Sequence, residues 1–440
     1  MTLFIEETAG GLRIDGLDAD ALAAEFGTPL YVYSAGLIRA NFVRLASAFA
    51  PLSPLLCYAL KACGNLHICR LLAAMDAGMD VVSGGELERA WLSGVPMSRV
   101  VFAGVGKTEA EIRAALDGRF SPFANPVPGA PDPRGRGPVG LFNIESEGEF
   151  LRIASIAEQL GIVASACLRI NPDVDARTHK YTTTGKHENK FGIEIGRAAE
   201  FFASHGRTPH LRLTGLHIHL GSPIATPAPY LEAVRIALSL IDRLADAGTP
   251  ISVLNIGGGY GIDYGGGGVC TPEEFGAALV PELAPRVAAG LRIIMEPGRI
   301  IVGNAGVLLT RVQYVKTGKS KRFIIGDAGM HTLLRPALYG AHHRVGPTRV
   351  APNTAESPAD VVGPVCESSD FLCQDRPMPP VSPGDLLAVF DAGAYGMSMA
   401  STYNDHPKPA EVLADAGRAA LIRPRGDIAG LIAPELACDP

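Results

Sequence analysis

Leu55-Leu56-Cys57-Tyr58-Ala59-Leu60-Lys61 is an apolar run that stops at a lysine, and an amphipathic stretch follows it. The form recurs down the chain. Asp80–Ser83, Val100–Gly104, Leu141–Glu145, Cys167–Asn171, Thr214–His219, Val253–Gly257 and Arg292–Glu296 are further apolar runs, rich in β-branched residues or leucine. They lack clean polar alternation, as expected of strands buried on both faces. The stretches between them read as helices. Leu231, Val234, Leu238, Ile241 and Ala245 form one stripe, which Gly248 and Pro250 stop. Thr271-Pro272-Glu273-Glu274 reads as a capping box with proline at the first helical position. Eight β-α units over roughly 240 residues predict an α/β fold, a (β/α)8 TIM-like barrel over residues 35–299. A doubly wound open sheet is the structural alternative.

After residue 300 the helical pattern mostly ends. Gly306–Lys316, Arg322–Gly326, Asp385–Phe390 and Ala419–Arg423 read as strands separated by turns. They predict a second, β-rich domain formed by residues 1–34 and 300–440, although Tyr31–Tyr33 suits either domain. Ser121–Gly140 is rich in Pro and Gly and reads as a surface insertion without chemistry of its own.

Composition narrows the function. Of 440 residues, 47% are apolar and only 19% charged, enough to fill a large core, so a disordered chain is excluded. Thirty-nine basic against 45 acidic residues give a net charge of −6, with no excess to draw nucleic acid or anionic lipid. The start, Met1 to Glu7, turns acidic at once, unlike a signal peptide, and no apolar run is long enough to span a membrane. The eight cysteines show no CxxC spacing, so neither a zinc knuckle nor a disulfide framework is expected. The expectation is a soluble cytoplasmic protein with reduced thiols.

Barrels of this kind place their chemistry at the C-terminal ends of the strands. Those ends carry Lys61, Ser83-Gly84-Gly85, Glu145-Ser146, Asn171, His219 to Ser222, Gly257-Gly258-Gly259 and Glu296-Pro297-Gly298-Arg299. Lys61 is either a lysine snorkelling at the barrel mouth or a Schiff-base nucleophile whose ammonium is disfavoured by partial desolvation. Gly257–Gly261 has the wrong spacing for a dinucleotide fingerprint, since position 262 is Ile. It reads as a tight turn or as a run of backbone amides facing a phosphate. Gly106-Lys107-Thr108 resembles the end of a P-loop, but position 101 is Val where Gly is needed. Glu296 stands near Arg299, which suits a local ion pair or a carboxylate facing a pyridine nitrogen. His217 and His219 fall two apart, but no third ligand follows at metal spacing, and no metal is expected. Lysine, anion site, acid and a ring-sized histidine on one rim together point to pyridoxal 5'-phosphate.

Longer stretches carry a resemblance. They are Phe26–Tyr33, Tyr58–Ala62, Asp80–Leu87 (DVVSGGEL), Arg169–Ile193 (RINPDVDARTHKYTTTGKHENKFGI), His217–Ser222 and Gly257–Ile262. Glu296–Arg299, Arg335–Tyr339 (RPALY), Cys366-Glu367-Ser368 and Pro409–Val412 continue the series. Together they run nearly end to end, and the chain resembles the diaminopimelate decarboxylases, which pair an alanine-racemase-like barrel with a β domain. The resemblance implies that Lys61 bonds the cofactor aldehyde, that His219 stacks on the pyridine ring and that Glu296 partners its nitrogen. It implies further cofactor contacts at Asp80, Ser222, Gly257, Gly258, Gly259, Gly298, Arg299 and Tyr395. It assigns Arg299, Arg335, Tyr339, Glu367 and Tyr395 to the substrate, and Cys366 to proton delivery. Cys63 stands where the family usually has Asn, and Gly340 where an acid is frequent; neither change removes a catalytic group.

The implied reaction is decarboxylation of meso-2,6-diaminopimelate to L-lysine and carbon dioxide, the last step of lysine biosynthesis, by a homodimer with shared sites. A decarboxylase of ornithine, arginine or a carboxylated polyamine is the alternative. A substrate with a second zwitterionic centre needs both an acid and an arginine, which Glu367 and Arg335 supply. A non-catalytic homologue would have no need of Lys61 or Cys366.

Overall fold

The computed structural model describes residues 4–118, 137–175, 190–319, 321–349 and 354–438. Most of the Pro/Gly-rich insertion, 121–136, and the centre of the Arg169–Ile193 motif, 176–189, lie outside the described residues. The chain divides into two compact units, one of Phe42–Gly261 with Gly268–Gly298, the other of Met1–Asn41, Ile262–Gly267 and Arg299–Pro440.

The first unit is the closed parallel barrel. Its strands are β1 (Leu55–Ala59), β2 (Gly78–Val81), β3 (Val100–Phe102), β4 (Leu141–Ile144), β5 (Ala164–Asn171), β6 (Leu211–His217), β7 (Val253–Asn255) and β8 (Arg292–Met295). Each pairs in parallel with the next, and Ile294 of β8 against Leu55 of β1 closes the ring. All eight runs read from the sequence are strands, and the open-sheet alternative falls. All but β5, which ends at Asn171 as expected, stop one or two residues before the sequence reading had them, and β2, β5 and β6 begin earlier. Lys61 lies two residues past β1, and β6 stops at His217, so His219 sits in the loop beyond it and shares no strand face with His217.

Polar caps turn the chain at the strand ends. Asn65, Ser83, Ser146 and Thr271 each accept a hydrogen bond from the first turn of the helix that follows. Thr271 and Glu274 form the expected reciprocal box. The helix Ala228–Asp246 buries Val234, Leu238 and Ile241 as expected, but its stripe ends on Leu244 rather than the exposed Ala245. Inside the barrel, Cys57, Val101, Leu141, Cys167, Val253 and Ile294 pack as one apolar layer. Burial pushes the thiols of Cys57 and Cys167 up, so both stay protonated packing groups.

The second unit is β-rich. One sheet runs in the order Phe371–Met378, Ser357–Val362, Arg322–Gly326, Gly306–Thr317, Leu30–Ser34, Ala410–Asp415 and Arg418–Arg423. Leu30–Ser34 belongs here: it pairs antiparallel with Gly306–Thr317 on one side and parallel with Ala410–Asp415 on the other. Leu12, Ile14, Leu30, Val32, Val307, Leu309, Ala388 and Val412 close its apolar core.

Candidate active site

Polar residues gather on the inward ends of the barrel strands. Nζ of Lys61 lies 2.6 Å from Oδ2 of Asp80, the third residue of β2. Asp80 is fully buried, and burial pushes its carboxyl up to about 6 against the opposing charge of Lys61. Its other oxygen, Oδ1, is buried without a hydrogen-bond partner.

Glu296 follows β8 and does not pair with Arg299. Its Oε1 accepts from Nδ2 of Asn143 at 2.8 Å and from Nδ2 of Asn255 at 2.6 Å. Its Oε2 lies 3.2 Å from Nε2 of His217. That approach is within ion-pair distance, and neither ring nitrogen of His217 has a hydrogen-bond partner. Burial alone would raise the Glu296 carboxyl. His217 first, then Lys61 and His219, outweigh it and hold the acid below the usual carboxylate range. Asn143, Asn255 and His217 were not assigned to the cofactor from the sequence. Their signal was an amide or imidazole inside an otherwise apolar strand, as in Leu141–Ile144 (LFNI).

Nδ1 of His219 accepts the backbone N–H of Gly258 at 3.2 Å, so a neutral ring carries its proton on Nε2. Burial and then Arg169 and Lys61 push this imidazole well below its ordinary range. Gly257 donates to Oδ1 of Asn255 at 2.9 Å. Two amides of the glycine run are therefore satisfied within the protein, and the run serves first as a close-approach surface. Gly257 and Gly259 have φ of +69° and +109°. A Cβ on Gly258 would collide with the carbonyl of Glu296, and one on Gly259 with that of Gly221. Gly298 is packed tightly but less so, since a Cβ there would come 3.0 Å from that of Ala62. Ser222 is half-buried in the loop after β6.

These features fit pyridoxal phosphate. A bare glycine surface admits a phosphate, Lys61 supplies an amine, a charged buried Glu296 suits a ring nitrogen, and the buried, unpartnered Oδ1 atoms of Asp80 and Asn143 suit further polar contacts.

The other residues that the sequence marked for a site lie in the β-rich unit and fall into two groups. The first is built on Tyr264. Its hydroxyl accepts from Nη1 of Arg299 at 2.7 Å, and the Arg335 guanidinium lies 4.7 Å from the centre of its ring. Arg299 also lies 4.8 Å from the ring centre of Tyr395, whose φ is +57°. Arg335 opens the short helix Arg335–Tyr339, and Nη1 lies 2.7 Å from Nε2 of His343. Tyr264 and His343 had no signal in the sequence, since both fall on loops. In the second group Cys366 and Glu367 are exposed. The backbone N–H of Cys366 donates to Oδ1 of Asn404 at 2.9 Å, and the Tyr403 hydroxyl donates to Oε1 of Glu367 at 2.7 Å. The buried Asp370 ties the same loop down by accepting from the backbone of Met330 and Val365, each at 2.6 Å.

The model of the pyridoxal-dependent decarboxylase pyridoxal-binding domain matches residues 35–303. The chain is 43% identical to diaminopimelate decarboxylase of Neisseria meningitidis serogroup A, over 100% of both chains. It is 42% identical to that of Aquifex aeolicus, over 98% of this chain and 97% of the other. Among solved structures, diaminopimelate decarboxylase from Helicobacter pylori complexed with L-lysine matches with TM-score 0.86 at 37% identity, covering 95% of this chain and 99% of that one. The enzyme from M. jannaschii in complex with L-lysine matches with TM-score 0.89 at 35% identity, covering 99% and 98%. Among the described residues, no helix is long and apolar enough to cross a membrane.

Proposed function

The chain belongs to the diaminopimelate decarboxylases, pyridoxal-phosphate-dependent lyases, and from that premise we propose that it removes carbon dioxide from meso-2,6-diaminopimelate and releases L-lysine. The observation that carries the reading is the buried Glu296, held charged by His217 and by two amide donors.

Bound pyridoxal phosphate supplies an aldehyde that takes up amines and a ring that accepts the electron pair left when carbon dioxide departs. Lys61 would hold the aldehyde, and in the free chain its Nζ donates to Asp80 at 2.6 Å. Glu296 keeps a proton on the ring nitrogen, because a carboxylate held below its usual range favours the charged pair. His219 would lie against the face of the ring. Ser222, Gly257 to Gly259, Gly298, Arg299 and Tyr395 line the phosphate end. Arg299, Arg335 and Tyr339 take substrate carboxylates, and Tyr395 also touches substrate. Glu367 takes the far ammonium, and Cys366 Sγ gives a proton to the carbon that loses its carboxylate.

In this reading residues 35–299 form the cofactor-binding domain, and residues 1–34 with 300–440 add substrate and dimer contacts. The protein is a cytoplasmic homodimer whose sites are shared between chains. The test is an assay of carbon dioxide from purified protein and pyridoxal phosphate, with meso-diaminopimelate, ornithine and arginine in separate reactions. Release from diaminopimelate alone supports the reading. Preferential release from ornithine or arginine defeats it.

A further inference from the structure

Arg335 is only 5% exposed. Among the described residues no carboxylate lies within ion-pair distance of it. An arginine stripped of water without an acid is costly, so the site is built for an anion that arrives from outside. Its two close partners are uncharged. One is the Tyr264 ring under the guanidinium face, and the other is His343.

The geometry assigns the proton on His343. A guanidinium only donates, so Nε2 of His343 must accept from Nη1 of Arg335 at 2.7 Å. The proton then belongs on Nδ1, which at 2.9 Å donates to the carbonyl of Phe390. The imidazole is 1% exposed and stands edge-on to Tyr264, with ring centres 5.4 Å apart. It is therefore wedged between a fixed acceptor and the arginine. One arm of the guanidinium is consumed by the histidine and its face by the tyrosine, which leaves the rest of the fork to be presented in one orientation.

We propose that His343 is a positioning residue that pre-sets Arg335 as the receptor for the substrate's far carboxylate. The inference rests on the reading of Arg335 as a substrate contact. A substrate that lacks that carboxylate gains nothing from the arrangement. The histidine therefore acts on discrimination between substrates and on the Michaelis constant, while the bond-breaking step is untouched.

The test uses the holoenzyme and two equilibrium probes. L-lysine retains the far carboxylate of diaminopimelate, and cadaverine lacks it. In His343→Ala, KM for meso-diaminopimelate and Kd for L-lysine should both rise about ten- to a hundredfold, the range of one hydrogen bond to a charged group. The turnover number and the affinity for cadaverine should hold within about threefold. His343→Gln offers Arg335 an amide oxygen and Phe390 an amide N–H, so it should recover most of the lysine affinity. Unchanged lysine affinity in His343→Ala overturns the proposal. So does an equal loss for both probes, or a glutamine variant no better than alanine. Arg335→Ala is the separate control: if that variant binds L-lysine normally, the reading of Arg335 itself is wrong.

Discussion

Nε2 of His217 stands 3.2 Å from Oε2 of Glu296, with both side chains buried inside the barrel. The contact helps hold Glu296 charged in a place where burial alone would favour the neutral acid. Glu296→Gln removes that charge at nearly constant shape. Turnover should fall by about a hundredfold or more, as for loss of an electrostatic contact that strengthens in the transition state. Lys61 should still bind the cofactor covalently, giving the visible absorbance of the loaded protein. Near-normal turnover in this variant would move the role elsewhere.

Lys61→Ala should lose that absorbance together with nearly all turnover. Lys61→Arg should fail as well, because a guanidinium stays protonated and cannot attack an aldehyde. Difference spectra after mixing with pyridoxal phosphate decide the matter. A variant that keeps both absorbance and activity rejects Lys61 as the cofactor lysine.

Gly258→Ala forces a Cβ into the carbonyl of Glu296. Cofactor affinity, read by titration of the apoprotein, should weaken about tenfold or more, and stability should drop by roughly 1–3 kcal/mol, the cost of overpacking. An alanine variant with wild-type affinity would show that the loop relaxes and that glycine is not required there.

Shared sites predict complementation. Lys61→Ala and Cys366→Ala are each expected to be inactive. Once their subunits have exchanged, random pairing puts about half the dimers in mixed form, each with one intact site, so activity should return toward roughly a quarter of wild type. Verified exchange with no recovery would mean that each chain completes its own site.

His343 gives the protein an acid limb. Burial first, then Arg335, push its imidazole down to about 3. The unfolded chain takes up a proton near pH 6.5 while the folded one does not. The stability this histidine contributes is therefore complete above about pH 6.5 and is lost as pH falls toward 3. Chemical denaturation at pH 7.5 and 4.5 should show a smaller loss for His343→Gln than for the wild type. Equal losses would mean that the buried imidazole is not neutral.

How much of this was legible beforehand depended on burial on both faces. The eight barrel runs announce themselves because each strand is apolar along most of its length. In the β-rich unit the signal is weaker. Phe371–Met378 (FLCQDRPM) carries an acid, an arginine and a proline, and is not among the strands that the sequence announces. The site divides in the same way. Lys61 and Glu296 end apolar runs and stand out, whereas Tyr264 sits between glycines and acts only because the fold brings Arg299 and Arg335 to it. No local pattern encodes such a meeting. The Glu296–Arg299 pair shows the converse error, since neighbours in sequence here turn to different partners.

The strand Leu30–Ser34 also sets a timetable for synthesis. The Tyr33 hydroxyl donates to Oε1 of Glu411, 378 residues further on, and Arg39 meets Asp415 across a similar interval. A ribosome that has finished every barrel strand has not yet made Ala410–Asp415, the strand that covers this one's second edge. Through most of translation an early segment, wholly buried in the finished fold, must wait with its backbone unpaired. It is the part of the nascent chain most exposed to mispairing, and the natural place for a chaperone to bind.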